Sequence, residues 1–218
     1  MNDIIQTIAV YALPVLFAIT LHEAAHAYAA KYFGDTTAYQ AGRMSLDPLK
    51  HIDPIGTIII PVLLYLASSP FIFGYAKPVP IDFSRLRNPK KQMAWVALAG
   101  PAANFAMAFG WSLLGILLVG LHVETAFAHE VARAGVLANL VMFAFNLVPI
   151  PPLDGGRILT SILPRPYAYK FARIEPYGFF IVLALLYFKI LDFWVIPLIF
   201  ATQAVLQAMA SPLTFLLN

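Results

Sequence analysis

Six long apolar runs, at residues 4–33, 55–73, 92–121, 131–148, 171–188 and 193–217, occupy most of a 218-residue chain and limit what it can fold into. About 20 apolar residues make a helix that crosses the hydrocarbon core of a bilayer, and several in series make a membrane bundle rather than a water-soluble domain. Charged residues are 11% of the chain and hydrophobic ones 61%, whereas soluble domains are roughly a quarter charged. The expected fold is an all-α polytopic membrane helix bundle, a single membrane-embedded domain over residues 1–218. The first run continues without a break into its most polar motif, and no basic segment precedes it, so it is read as a retained helix rather than a cleaved signal.

The run at 55–73 contains Gly56, Pro61, Ser68, Ser69 and Pro70. It is read as a re-entrant or partial sixth segment beside about five full spans. In the polar stretch 41–54, Met44 and Leu46 alternate with polar neighbours, which suggests a small β-hairpin or extended segment.

The formal net charge of +3 is concentrated in short connections. Lys77, Arg85, Arg87, Lys90 and Lys91 face only Asp82 in one of them, and Arg157, Arg165, Lys170 and Arg173 lie in another. The excess of cations on the cytoplasmic side of membrane proteins assigns both connections to the cytoplasm and makes them topology signals, not a nucleic-acid surface. The connection 121–130, with Glu124 and Glu130, then lies outside, the turn at 189–192 lies outside, and the C-terminus lies in the cytoplasm.

Inside the first run stands His22-Glu23-Ala24-Ala25-His26. Imidazoles four residues apart share a helix face and can hold one ion, and a carboxylate beside them can take a proton from water on that ion. Ionisable groups at membrane depth are costly unless they serve a purpose, so two histidines and a glutamate here point to a site. With no cysteine, thiolate ligation and disulfides are excluded, and a catalytic zinc needs a third ligand from His, Asp or Glu. The leading candidate is Asp154 in Asn146-Leu-Val-Pro-Ile-Pro-Pro-Leu-Asp154-Gly-Gly-Arg157, where prolines and glycines break a helix as they do where backbone lines a site. If residues 55–73 crossed fully, these ligands would fall on opposite sides; a re-entrant 55–73 brings them to one depth and puts the N-terminus outside.

These motifs, with GRMSLDPLKHIDPIGT and FGYAKPVPI, resemble the site-2 protease family, peptidase family M50, in its compact form without PDZ or CBS domains. The resemblance implies an intramembrane zinc metalloendopeptidase in the cell membrane, with one Zn2+ on His22, His26 and Asp154, Glu23 as general base, and Asn146 positioning substrate or stabilising the tetrahedral intermediate. Expected partners are the lipid bilayer and a transmembrane protein or remnant-peptide substrate. Asn146 also has a physical case, because a buried carboxamide can donate to an oxyanion. Asn104, in Gly100-Pro-Ala-Ala-Asn104, is a weaker candidate beside helix packing. Residues Gly42, Arg43, Met44, Ser45 and Leu46 could add a substrate strand by backbone pairing. His51 reads as a turn residue, and His122 and His129 as outer-loop residues. Two rival readings are an inactive zinc-binding membrane protein and a metal transporter; neither needs the carboxylate of Glu23.

Overall fold

The computed structural model describes residues 2–67 and 74–215, and among them every regular element is helical. The chain runs through α1 (Asn2–Phe33), α2 (Thr37–Gln40), a 3-10 turn (Pro48–Lys50), a π-helical turn (Pro54–Ile59) and α3 (Ile60–Leu66). It continues through α4 (Pro89–Gly120), α5 (Ala126–Asn146), α6 (Asp154–Ile162), α7 (Arg165–Ala172), α8 (Glu175–Tyr187) and α9 (Asp192–Phe215). Among the described residues, four stretches are long and apolar enough to cross a bilayer: Ile5–Phe33, Pro89–Gly120, Ala126–Asn146 and Asp192–Leu213.

The expected span at 171–188 is not one helix. Its helical part, α8, has 13 residues, about 20 Å at 1.5 Å per residue and short of a hydrocarbon core of roughly 30 Å. Arg173, Glu175 and Pro176 interrupt the run, and Pro176 opens a new helix after α7. The turn that follows is drawn inward, because Leu191 joins the buried cluster of Val148 and Val182.

Of the β-hairpin or extended segment expected at 41–54, the hairpin does not form: irregular residues 43–45 are followed by helical turns. Two Asp-Pro pairs explain this: Asp47 accepts from the Leu49 N–H at 3.1 Å, and Asp53 accepts from Ile55 and Gly56 N–H at 3.0 and 2.7 Å. Each aspartate caps a helical turn whose first residue is proline, and proline cannot donate to a strand ladder. Met44 packs on Ala27, Ala38 and Val79, while Leu46 is exposed.

Helix α1 lies against α4 and α5, α9 covers α4 and α5, and α6 rests on α4. The contact faces are built from small residues: Ala18, Ala24, Ala27 and Ala30 on α1, Ala97 and Ala108 on α4, Ala132, Ala134 and Ala144 on α5. Close helix approach of this kind is what drives association where lipid removes the hydrophobic contribution. Large apolar side chains such as Leu117, Phe193 and Phe200 point outward, as a lipid-facing surface requires.

The ends of the bundle differ. At one end Gln6 of α1 donates to Glu130 of α5. At the other, α1 stops at Gly34, and Arg87 bonds its last carbonyls, with Arg87 N–H on Phe33 O at 3.0 Å and its guanidinium on Tyr32 O. The wholly buried Asp35 carboxylate ties this exit to the basic connection by accepting from Thr37 and from Asp82 N–H at 2.8 Å. The flanks of segment 54–74 also meet here: Tyr75 N–H donates to Gly56 O and Lys77 N–H to His51 O, each at 3.0 Å. Part of the expected re-entrant segment, residues 68–73, lies outside the described residues.

Candidate metal centre

Helical periodicity puts His22 and His26 on the face of α1 that meets α4, at the level of Gly100. A Cβ at Gly100 would lie 2.4 Å from His26 Nε2 and 2.6 Å from His22 Cε1, so the imidazoles occupy the space that a side chain would take. Asp154 opens α6 after the proline-rich loop. That loop is held backbone to backbone: a Cβ on Gly156 would lie 2.3 Å from Pro151 N, and one on Gly178 of α8 would lie 1.9 Å from Pro151 O.

The three side chains are nearly shut off from the surface, at 5%, 6% and 6% exposure for His22, His26 and Asp154. The two Nε2 atoms are 3.0 Å apart, and Asp154 Oδ2 lies 3.3 Å from each. A tetrahedral ion with bonds of 2.0–2.1 Å separates its ligand atoms by about 3.3 Å, so the triangle has the right size for zinc.

Proton positions strengthen the fit. His22 Nδ1 faces Asn104 Oδ1 at 2.6 Å, and His26 Nδ1 faces Val96 O at 2.8 Å. Both neighbours are acceptors, so each neutral ring carries its proton on Nδ1 and turns a bare Nε2 lone pair inward. Asp154 Oδ2, the third corner, has no hydrogen-bond partner. With both rings neutral, three buried lone pairs converge. One added proton could bridge two of them; a divalent cation satisfies all three.

Glu23, next to the first histidine, turns its carboxylate to the basic connection and accepts from Val79 N–H at 2.8 Å. Val79 lies between Pro78 and Pro80, which have no N–H, so it is the only backbone donor of that tripeptide. Asn146 ends α5 half-buried, with Nδ2 donating to Met142 O at 3.0 Å; its second amide hydrogen is still available to an acceptor. Asn104 is wholly buried and faces His22, so it is closed to a substrate chain. Of residues 42–46, Arg43 donates to Lys77 O at 2.8 Å, and Ser45 O accepts from His51 at 2.8 Å. His51 is thus a buried brace of this loop, while His122 and His129 stand at the opposite end, near the α4–α5 turn.

Reading the sequence alone misses Val79, Gly100 and Gly178. The Pro-Val-Pro spacing is a signal for the first. A glycine inside an apolar helix is a weaker one for the other two.

An all-helical membrane bundle with a buried His-His-Asp triangle is the framework of a membrane metalloprotease, and the comparisons agree. The sequence profile of peptidase family M50 matches residues 124–188. The chain is 38% identical over 178 residues to YwhC of Bacillus subtilis, named as a candidate zinc metalloprotease, covering 79% of this chain and 78% of that protein. It is 32% identical over 192 residues to Rip2 of Mycolicibacterium smegmatis, similarly named, covering 85% and 69%. MJ0392 of Methanocaldococcus jannaschii, named a zinc metalloprotease, is 35% identical over 86 residues, covering 37% of this chain and 23% of that one. No solved structure matches. The chain belongs to peptidase family M50, the site-2 protease family, and is a zinc metalloprotease of the membrane.

Proposed function

We propose that this protein is an intramembrane endopeptidase that holds one zinc ion on His22, His26 and Asp154 and cuts membrane-embedded protein segments with Glu23 as general base. The observation that carries the reading is the convergence of three buried potential ligand atoms 3.0–3.3 Å apart. Zinc in such a site supplies Lewis acidity, which polarises a carbonyl and lets water lose its proton near neutral pH.

The rest is the work of the chain. Glu23 receives the proton of the attacking water and returns it to the leaving amine. The Val79 N–H holds one carboxylate oxygen of Glu23 and leaves the other to act. Asn146 offers its unused amide hydrogen to the oxyanion of the substrate, a contact of the kind worth about 3 kcal/mol in the transition state. The irregular stretch Gly42–Leu46, beside the basic connection, receives the unwound substrate.

The N-terminus is outside and the basic connections are cytoplasmic. Residues 55–67 dip into the bilayer without crossing it, a reading supported by the Gly56–Tyr75 bond that keeps the start of this segment beside the basic connection.

The test is Glu23→Gln in purified protein. It should keep one zinc per chain by elemental analysis and lose at least about 100-fold in cleavage of a reporter transmembrane substrate. Full activity in that variant would remove Glu23 as base, and a wild type without stoichiometric zinc would remove the metal site. A wild type that moves zinc across proteoliposomes but cleaves nothing would favour a transporter.

A further inference from the structure

We infer that Asn139 is a positioning residue for the metal ligand His22, acting through Asn104 as a one-way hydrogen-bond relay from the backbone of α5. The inference rests on the reading of His22 as a zinc ligand.

Both asparagines have 0% exposure, deep in a bundle where small apolar residues would pack as well. Their bonds form one chain. Asn139 Nδ2 donates to Gly135 O at 2.9 Å, and Asn139 Oδ1 accepts from Asn104 Nδ2 at 2.9 Å. Asn104 Nδ2 also donates to Ala18 O at 3.2 Å, and Asn104 Oδ1 faces His22 Nδ1 at 2.6 Å.

A carboxamide can be turned end for end, so its direction is set by its neighbours. Here the ends of the chain are backbone carbonyls, which only accept. Gly135 O obliges Asn139 to present its NH2 there and its oxygen to Asn104. Ala18 O and that oxygen oblige Asn104 to present its NH2 to them and its own oxygen to His22. His22 is then left one role at Nδ1, donation, and its Nε2 is bare.

His26 needs no such device, because its Nδ1 meets the backbone carbonyl of Val96 directly. The asymmetry follows from the fold: α4 offers a carbonyl to one histidine and only a side chain to the other. An Asn104 freed to turn over would push NH2 against Nδ1 and favour the tautomer that carries its proton on Nε2, towards the metal. Asn139 supplies one of the two acceptors that prevent this. Partners one step beyond a ligand typically change metal affinity 10–100-fold.

The experiment measures zinc affinity of the full chain in detergent by chelator competition, and the visible absorption of the cobalt-loaded protein, with no activity assay. The proteins are wild type, Asn139→Leu, Asn104→Leu, the double variant and His22→Ala. Asn104→Leu should weaken zinc about 10–100-fold and Asn139→Leu about tenfold, with altered cobalt bands in both. The double variant should be no weaker than Asn104→Leu alone, because Asn139 acts only through Asn104. Wild-type affinity and cobalt bands in Asn139→Leu would overturn the relay, and so would losses that add in the double variant, which is what two independent packing defects give. If Asn139→Leu does not fold, Asn139→Ala removes the same oxygen without adding bulk and carries the same expectations. Wild-type zinc affinity in His22→Ala would overturn the ligand assignment itself, a different failure from an intact site that ignores Asn139.

Discussion

The two sides of the candidate metal centre are built on different terms. His22 and His26 stand one turn apart on α1, where helical geometry puts both rings on one face, and contacts with Asn104 and Val96 O of α4 set how each ring is turned. Asp154 arrives through a proline-rich loop whose position depends on contacts with other parts of the chain, including Gly178 of α8 against Pro151 O. The helical side takes its spacing from one helix and its ring orientation from side-chain and backbone bonds to α4. The loop side can be displaced from a distance, so its geometry is open to influence by substitutions far from the ion.

Removing a ligand from either side should erase this difference and give the largest effect. Asp154→Ala and His26→Ala should each weaken zinc roughly a hundredfold or more, since the binding energy of a zinc site is shared among only three or four ligands. Zinc content after gel filtration checks it. Unchanged stoichiometry in Asp154→Ala would mean that the third ligand lies elsewhere.

Adding one methyl group to each side should separate them. At Gly178 a Cβ meets backbone, 1.9 Å from Pro151 O and 2.6 Å from its carbon. Gly178→Ala must therefore shift the ligand loop, at a cost of about 1–3 kcal/mol in stability and about tenfold in zinc affinity. At Gly100 the new atom meets the tips of two imidazoles, 2.4 Å from His26 Nε2 and 2.6 Å from His22 Cε1. Those rings can turn aside, so Gly100→Ala should lose zinc affinity with little change in the melting of the apo protein. Equal losses of apo stability in both variants would abolish the distinction between the two sides.

The same contrast governs what sequence could reveal. The i, i+4 histidines were legible because helix periodicity needs no knowledge of the rest of the chain, and the apolar runs gave the membrane bundle for the same reason. Asp154 was recognisable from its broken helix, although not from any period. Gly178 and Val79 act across long sequence separations, and nothing local marks what they touch. The span at 171–188 failed as a reading because hydropathy averages over Arg173, Glu175 and Pro176, which end one helix and begin another. The hairpin at 41–54 failed because alternation of Met44 and Leu46 was weighed without the two Asp-Pro caps that forbid a ladder.

Metal loading should report on both sides together. Zinc at about 100 times its dissociation constant should stabilise the wild type by about 2.7 kcal/mol, an effect read as a higher melting temperature. Asp154→Ala should show almost none of that rise at the same zinc concentration. A full rise in the variant would mean that the ion binds somewhere other than the triangle.

The smallest expected effect lies away from both sides, at Asp53, and it asks whether access can be weakened without touching the ion. Asp53 caps the π-helical turn that leads into α3, and Thr57 Oγ1 accepts from Asp53 N–H at 3.0 Å, closing the cap from the other direction. Asp53→Ala leaves the Ile55 and Gly56 N–H groups without their side-chain acceptor and should cost about 1 kcal/mol locally. Asp53→Asn keeps an acceptor oxygen and should cost little. Because no metal ligand touches this turn, zinc affinity should stay at the wild-type value while cleavage of a transmembrane substrate falls a few-fold in Asp53→Ala and recovers in Asp53→Asn. A parallel loss of zinc would show that the cap and the metal triangle move as one body, and this turn would then belong with the loop side of the centre.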